Sequence, residues 1–152
     1  MPDPTRQDWL LRFIAGTPTA NGPVDVIRMM KGLFLFQEES KPPPAVNYSF
    51  RPYDYGPFTP EIYRDAEYLE REGLVKSSDN NRAYAVTAEG LRRLVGLSFD
   101  PHSESDLLTF RREVSRLSFR SLLRRVYKAH PASAERSVAK DILGDVSSRP
   151  NQ

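Results

Sequence analysis

The segment that says most about the fold lies at residues 53–60 and reads Tyr53-Asp54-Tyr55-Gly56-Pro57-Phe58-Thr59-Pro60. It closes one structural element and begins the next, because Thr59 is a favourable N-cap and Pro60 suits the first position of a helix. Apolar residues at helical spacing follow, and Gly73 is a natural terminator. The sequence therefore predicts a helix over residues 61–72.

Two helices are predicted on the N-terminal side of this segment. The first covers residues 7–15, where apolar residues form a stripe, and Gly16 ends it. The second begins near Pro23 and extends to about Glu39. It is apolar on nearly every side, so we expect it to be buried at the centre of the core. The prolines of residues 41–44 then predict a stiff extended link.

A short hairpin and a fourth helix are predicted after the third helix. Residues 74–77 and 83–87 are strand candidates, and Asp79-Asn80-Asn81 between them favours a tight turn. A helix follows over residues 88–97, and the residues expected to face inward are Leu91, Leu94 and Val95. The order helix, helix, helix, hairpin, helix is that of a winged helix, so we expect a mainly α fold with a small β-hairpin.

The C-terminal third is predicted to be helical but not to form a single helix. Ser103 with Asp106 resembles a capping box. The apolar residues of 119–127 lie on a face nearly opposite to that of the apolar residues of 107–117, which predicts a break near Ser118. We therefore expect three parts: a winged-helix-like domain over residues 1–98, a helical extension packed on it over residues 99–145, and a frayed tail over residues 146–152.

Composition and motifs argue against catalysis and against a secreted or membrane protein. The 152 residues include no cysteine, which excludes disulfides and thiolate chemistry. The two histidines are not at a metal-binding spacing, and no nucleotide-binding or hydrolase motif occurs. Residues 1–9 lack a signal-peptide pattern, and the longest apolar run, residues 33–36, is too short to span a membrane. We therefore expect a cytoplasmic, non-catalytic protein without a metal or cofactor.

Residues 50–63 resemble the signature of the Panacea (SocA-like) antitoxin domains and of related bacterial and archaeal winged-helix proteins. In that group a Tyr-Gly-Pro turn, here residues 55–57, opens the third helix. A Leu- and Phe-rich second helix precedes the turn, and residues 31–37 fill that place. Two later motifs match winged helices generally: residues 72–75 and residues 87–91. The resemblance covers about residues 24–97 and implies a binding domain, which in some members neutralises or delivers a partner protein.

Four aromatic side chains and one acid surround the Gly-Pro turn: Tyr53, Asp54, Tyr55, Phe58 and Tyr63. Two interpretations stay open. In the preferred one, the rings anchor the turn onto the core, and Gly56 supplies a backbone conformation that other residues resist. In the other, the rings form an exposed patch that binds a partner protein.

Charge is distributed unevenly along the chain. Residues 1–100 carry a net charge of −2 and residues 101–152 a net charge of +4. The predicted third helix has five acids against two arginines, and this net charge of −3 would repel the phosphates of DNA. Basic candidates for binding an anionic partner are Arg82 on the hairpin and, in the C-terminal third, Arg111, Arg112, Arg116, Arg120, Arg124, Arg125 and Lys128.

This charge pattern sets the order of the functional hypotheses. The basic C-terminal residues suit either nucleic acid or the acidic third helix of a second copy in a homodimer. A non-catalytic module that acts through protein–protein interaction, antitoxin-like or regulatory, is the first hypothesis. The alternative is a DNA-binding transcription regulator that uses the hairpin and the basic C-terminal helices.

Overall fold

The computed structural model describes residues 2–78, 80 and 82–137, which form a mainly helical structure with small antiparallel sheets. The predictions for Asp79, for Asn81 and for the chain beyond residue 137 lie outside the described residues. Of the helices in the described ranges, none is both long enough and apolar enough to cross a membrane.

Local capping defines the first helix, and burial defines the second. Helix α1 (Arg6–Ala15) begins where Thr5 and the third helical residue form a capping box, and it ends at Gly16, whose φ is 71°. Helix α2 (Val26–Leu35) continues as a π-helical turn. Its apolar side chains are buried except for Ile27, which is 37% exposed. The prediction of a central helix is therefore confirmed except at this residue.

The predicted start of α2 near Pro23 is wrong, because the two residues before Val26 form a strand instead. Strand β1 (Val24–Asp25) pairs antiparallel with a later strand, Ala83–Val86, which also pairs with Val75–Ser78. Both strands of the predicted hairpin are thus present, and β1 extends it to a three-stranded sheet. Asp25 then caps α2 by accepting the backbone N–H of Arg28 at 2.8 Å.

A second hairpin, which the sequence did not predict, precedes the third helix. Strands β2 (Arg51–Tyr53) and β3 (Gly56–Phe58) pair antiparallel, with Tyr53 opposite Gly56. A 3₁₀ turn at Pro44–Val46 lies before it, at the end of the predicted extended link.

Helix α3 (Pro60–Arg71) starts as predicted, because Thr59 accepts the N–H of Glu61 and Pro60 occupies the first helical position. The strands after it are β4 (Val75–Ser78) and β5 (Ala83–Val86).

Helix α4 (Ala88–Val95) packs on a different face from the one predicted. Leu91 is 51% exposed and Val95 is 80% exposed, so neither faces inward. The cause is a close approach at Gly90, where a Cβ atom would lie 2.2 Å from the carbonyl oxygen of Leu74. This contact turns the Gly90 side of the helix toward the protein, and Leu94 on the same side is partly buried.

The last two helices are separated at Ser118, as predicted. Helix α5 (Pro101–Arg116) is capped by Asp100 and not by Ser103, which is buried. The predicted capping box is wrong because Pro101 suits the first helical position, which starts the helix earlier. Helix α6 (Phe119–Ala129) is capped by Ser118. Both helices pack on α2 and share its core, while the division of the chain at residue 98 stays a prediction.

Candidate functional site

The β2–β3 hairpin and the start of α3 gather the aromatic side chains that the sequence singled out. Tyr53 is 49%, Tyr55 47% and Tyr63 40% exposed. The ring of Phe58 lies between them, with centroids 5.1 Å from Tyr53 and 6.1 Å from Tyr63. Phe58 is partly buried against the core, so the anchoring interpretation fits this ring best. The three tyrosines form an exposed patch.

Gly56 allows the hairpin that carries this patch to pack closely against α6. Gly56 has a φ of 90°, a conformation that residues with a Cβ atom rarely adopt. A Cβ atom there would also lie 2.9 Å from the ring of Tyr127, which is buried in α6. The hairpin tip approaches α6 again at Tyr55, whose ring centroid is 5.6 Å from that of Phe119. The backbone shape predicted for Gly56 is confirmed, and its close contact positions the hairpin on α6.

Two adjoining cavities give the patch the shape of a groove. The first, of about 310 Å³, lies between the hairpin and α2, and the second, of about 600 Å³, lies between α2, α3 and β5. Val26, Ile27 and Tyr63 line both cavities, so the two lie side by side. We call the surface the aromatic groove, and its exposed or partly exposed apolar side chains are Ile27, Tyr53, Tyr55, Phe58, Tyr63 and Phe119.

A lysine lies in the wall of the first cavity, and sequence reasoning did not identify it. Lys31 is only 4% exposed, and its Nζ donates a hydrogen bond to the carbonyl of Pro57 at 3.3 Å. Among the described residues, no carboxylate lies within ion-pair distance of this Nζ. Burial lowers the pKa of Lys31 from 10.5 to about 8, against a weaker opposite influence of Asp25. One feature of the sequence could have identified Lys31: it is a lysine in the middle of a helix that is predicted to be buried.

Asp54 and Arg82, both predicted site residues, also line the groove. Asp54 is exposed at the hairpin tip and lines the cavity that contains Lys31. Arg82 is exposed and lines the second cavity together with Tyr63 and Phe119. The structure therefore brings the predicted hairpin arginine close to the aromatic residues, although the sequence predicts them in separate sites.

Two of the predicted basic site residues have structural partners instead. Arg111 is 2% exposed and donates hydrogen bonds to the backbone carbonyls of Phe13 at 2.9 Å and Gly22 at 2.7 Å. Arg125 forms ion pairs with Glu39 at 2.8 Å and Glu113 at 2.7 Å. The burial of Arg111 argues against its assignment to a binding surface, whereas the Arg125 side chain is 27% exposed and its assignment stays a prediction.

The other basic candidates of the C-terminal third lie on the surface. The exposed ones are Arg112, Arg116, Arg120 and Lys128, while Arg124 is half-buried. They follow α5 and α6, and only the first turn of α6, at Phe119, reaches the aromatic groove. These basic side chains therefore do not line the aromatic groove.

The acidic character of α3 is smaller at its surface than its composition predicts. Asp65 is buried, where it accepts hydrogen bonds from Arg6 at 2.9 Å and from the Tyr48 hydroxyl at 2.6 Å. Glu61 forms an ion pair with the same arginine at 3.0 Å. The remaining charges on the helix are Arg64, Glu67, Glu70, Arg71 and Glu72, a balance of −1 instead of the −3 expected from the sequence.

No group of three or more His, Asp or Glu side chains that could hold a metal ion occurs within the part of the chain that the structure describes. His130 is paired with Glu39 at 2.7 Å, and His102 lies 3.5 Å from Asp106. The pKa of Glu39 is lowered, first by its hydrogen bond from Arg125. The His130–Glu39 contact connects the end of α6 to the π-helical turn after α2, while the His102–Asp106 contact lies within α5.

Comparisons with protein-family models, with curated proteins and with solved structures found no match to this chain. The resemblance to the Panacea domains therefore depends on the quoted motifs alone, and the aromatic groove has to be interpreted from its own geometry.

Proposed function

We propose that this chain is a non-catalytic module of winged-helix type that binds a segment of a partner protein in the aromatic groove. The observation that carries the proposal is the exposure of Tyr53, Tyr55 and Tyr63 around two adjoining cavities. Tyrosine is enriched among the residues that contribute most to protein interfaces, and contiguous exposed aromatic surface is typical of binding sites. The order of α1, α2, α3 and the β4–β5 hairpin supports the winged-helix assignment.

The dimensions of the groove favour a peptide segment over a flat protein surface. Cavities of about 310 and 600 Å³ are in the range of sites that enclose a ligand. Rigid rings on a hairpin fixed against α6 lose little side-chain entropy when a partner binds. The resemblance to antitoxin domains favours the same class of function, in which the partner is a protein that the module neutralises or delivers.

The test compares groove tyrosines with a tyrosine of equal exposure elsewhere. Tyr68 on α3 is 43% exposed but lines neither cavity of the groove. A partner is first identified by cross-linking in the native host and then purified. Replacing Tyr53, Tyr55 and Tyr63 together by Ser should weaken its binding by about 100-fold or more, since each lost anchor contributes at least about 1 kcal/mol.

Tyr68→Ser is the matched control and should bind the partner as tightly as the wild type. Unfolding midpoints of both variants close to the wild-type value exclude a loss of fold. A partner that binds the triple variant with unchanged affinity would show that the groove is not the interface.

A DNA-binding regulator is the second candidate, and the burial of Asp65 is the observation that favours it. With that carboxylate buried against Arg6, the surface of α3 is nearly balanced and carries Arg64 and Arg71. Duplex DNA of random sequence provides the test at low salt, with Arg64→Glu and Arg71→Glu combined. Binding with a steep salt dependence that this variant abolishes would promote the second candidate, because phosphate contacts release counterions.

A further inference from the structure

We propose that Lys31 is a receptor for a carboxylate, so that the occupant of the aromatic groove is a peptide segment in which an Asp or Glu side chain adjoins an aromatic or aliphatic side chain. The inference rests on the proposed function, since it names the chemistry of the segment that the groove would bind. It is carried by the geometry of the first cavity and by the hydrogen-bonding capacity of one buried ammonium group.

The ammonium group has donors that the described residues leave unused. A lysine ammonium carries three N–H donors and no acceptor. The Nζ of Lys31 makes one hydrogen bond, to the Pro57 carbonyl, and its length of 3.3 Å is at the weak end of the range. Lys31 lines the first cavity, so an acceptor placed in that cavity lies next to this side chain.

A carboxylate would compensate for the burial of this charge. Removing an ammonium from water is costly unless it is paired, and Lys31 is 4% exposed with a carbonyl as its partner. Hydrogen bonds between ionised groups are roughly twice as strong as those between neutral groups. The attraction between an incoming carboxylate and this ammonium group is stronger than at a solvated surface lysine, because water screens the buried charge less.

The charges of the cavity select a monoanion on an apolar segment. Lys31 and Asp54 are the charged side chains that line the first cavity, and the rest of the lining is mainly aromatic and aliphatic. A phosphate group with close to two negative charges would find a single cation there, and the carboxylate of Asp54 would repel it. One carboxylate matches one ammonium, while Tyr53, Tyr55 and Phe58 offer rings to the apolar neighbour of the acid.

The experiment uses random linear peptides displayed without a free carboxyl terminus and selected on the full-length protein. Selected peptides should share an acidic residue next to an aromatic or aliphatic one. In the best binder, replacing that acid by its amide should weaken binding to the wild type by about 10-fold or more. Lys31→Met should weaken binding of the acidic peptide by a similar factor, and the amide peptide should then bind wild type and variant equally.

The amide peptide tests the proposal on the unaltered protein, so a misfolded Lys31→Met variant would not obscure the result. Selected peptides that need Tyr53 and Tyr63 but contain no required acid would overturn the carboxylate receptor and leave the groove function intact. Peptides that bind regardless of these tyrosines, or no enrichment at all, would overturn both. Asp54→Asn is a further control, since binding of the acidic peptide should stay equal or become tighter when a competing carboxylate is removed.

Discussion

Replacing Lys31 by Met should stabilise the free protein at neutral pH, because the folded state then no longer buries an ammonium group without a carboxylate partner. The pKa of Lys31 is lowered from 10.5 to about 8, mainly by burial. Each pKa unit corresponds to about 1.4 kcal/mol, so the folded state loses about 3 kcal/mol relative to a lysine with an unperturbed pKa. Losing the hydrogen bond to the Pro57 carbonyl offsets about 1 kcal/mol of this, so the predicted net gain at about pH 7 is about 2 kcal/mol.

The pH dependence separates this electrostatic effect from a change in packing. Below about pH 8 the lysine is protonated in both the folded and the unfolded state, so the full penalty is present. Between about pH 8 and 10.5 the unfolded state binds more protons, so the free energy of unfolding of the wild type rises with pH. The advantage of Lys31→Met should therefore shrink across this interval, while any gain in apolar packing is independent of pH.

The assay is urea denaturation of wild type and variant across that interval, with the difference in unfolding free energy taken at each pH. Taking the difference cancels Tyr48, whose pKa is raised mainly by burial and which acts on both proteins alike. Lys76→Met removes the same charge from an exposed site and controls for net charge. A difference between wild type and Lys31→Met that stays constant with pH would refute the reasoning, because the buried amine would not be titrating as described.

Three further substitutions test the packing that positions the groove, each by urea denaturation at about pH 7. Gly56→Ala should lower the free energy of unfolding by about 2–4 kcal/mol, because the backbone has a positive φ and the added Cβ would contact a buried ring. Gly73→Ala should lower it by about 1 kcal/mol, because its Cβ would meet nothing within 4 Å. A smaller loss at Gly56 than at Gly73 would contradict this account. Arg111→Met should lower the free energy of unfolding by about 3 kcal/mol or more, because it leaves backbone carbonyls without their donors. The exposed Arg112 provides the control, and Arg112→Met should change stability by less than about 0.5 kcal/mol. Equal effects of the two substitutions would argue against a structural role for Arg111. Asp65→Asn should lower the free energy of unfolding by about 2–3 kcal/mol, since the amide weakens the hydrogen bonds from the Tyr48 hydroxyl and the Arg6 guanidinium. An unfolding midpoint equal to that of the wild type would show that these hydrogen bonds add no stability.

Elements set by nearby residues could be predicted from the sequence. The start of α3 depends on Thr59 and Pro60, and the break before α6 depends on the reversal of the apolar face at Ser118. Strand β1 could not be predicted, because a two-residue strand within an apolar run owes its existence to pairing with β5. The inward face of α4 failed for a similar reason, since the close approach at Gly90 comes from the tertiary packing.

The sequence identified residues of the candidate site, but it could not predict which of them are exposed or which contacts they make. The sequence identified the rings around Gly56, yet whether they face the core or solvent depends on how the hairpin lies on α6. Arg111 bonds a carbonyl 98 positions away, so nothing local distinguishes it from its exposed neighbour Arg112. The burial of Asp65 against Arg6 is equally non-local, and counting charges along α3 therefore overestimated the negative charge at its surface.

The groove also depends on a helix outside the predicted winged-helix unit. Phe119, at the start of α6, lines the second cavity, and Tyr127, two turns later on the same helix, lies under Gly56. The hydroxyl of Tyr127 is hydrogen-bonded to Ser137 at 2.6 Å, which ties the chain after α6 to the same point. Helices α1 to α4 alone would present the hairpin without the surface that positions it. If the aromatic groove is the binding surface, α6 is part of the binding machinery, because Phe119 and Tyr127 then serve both the fold and recognition.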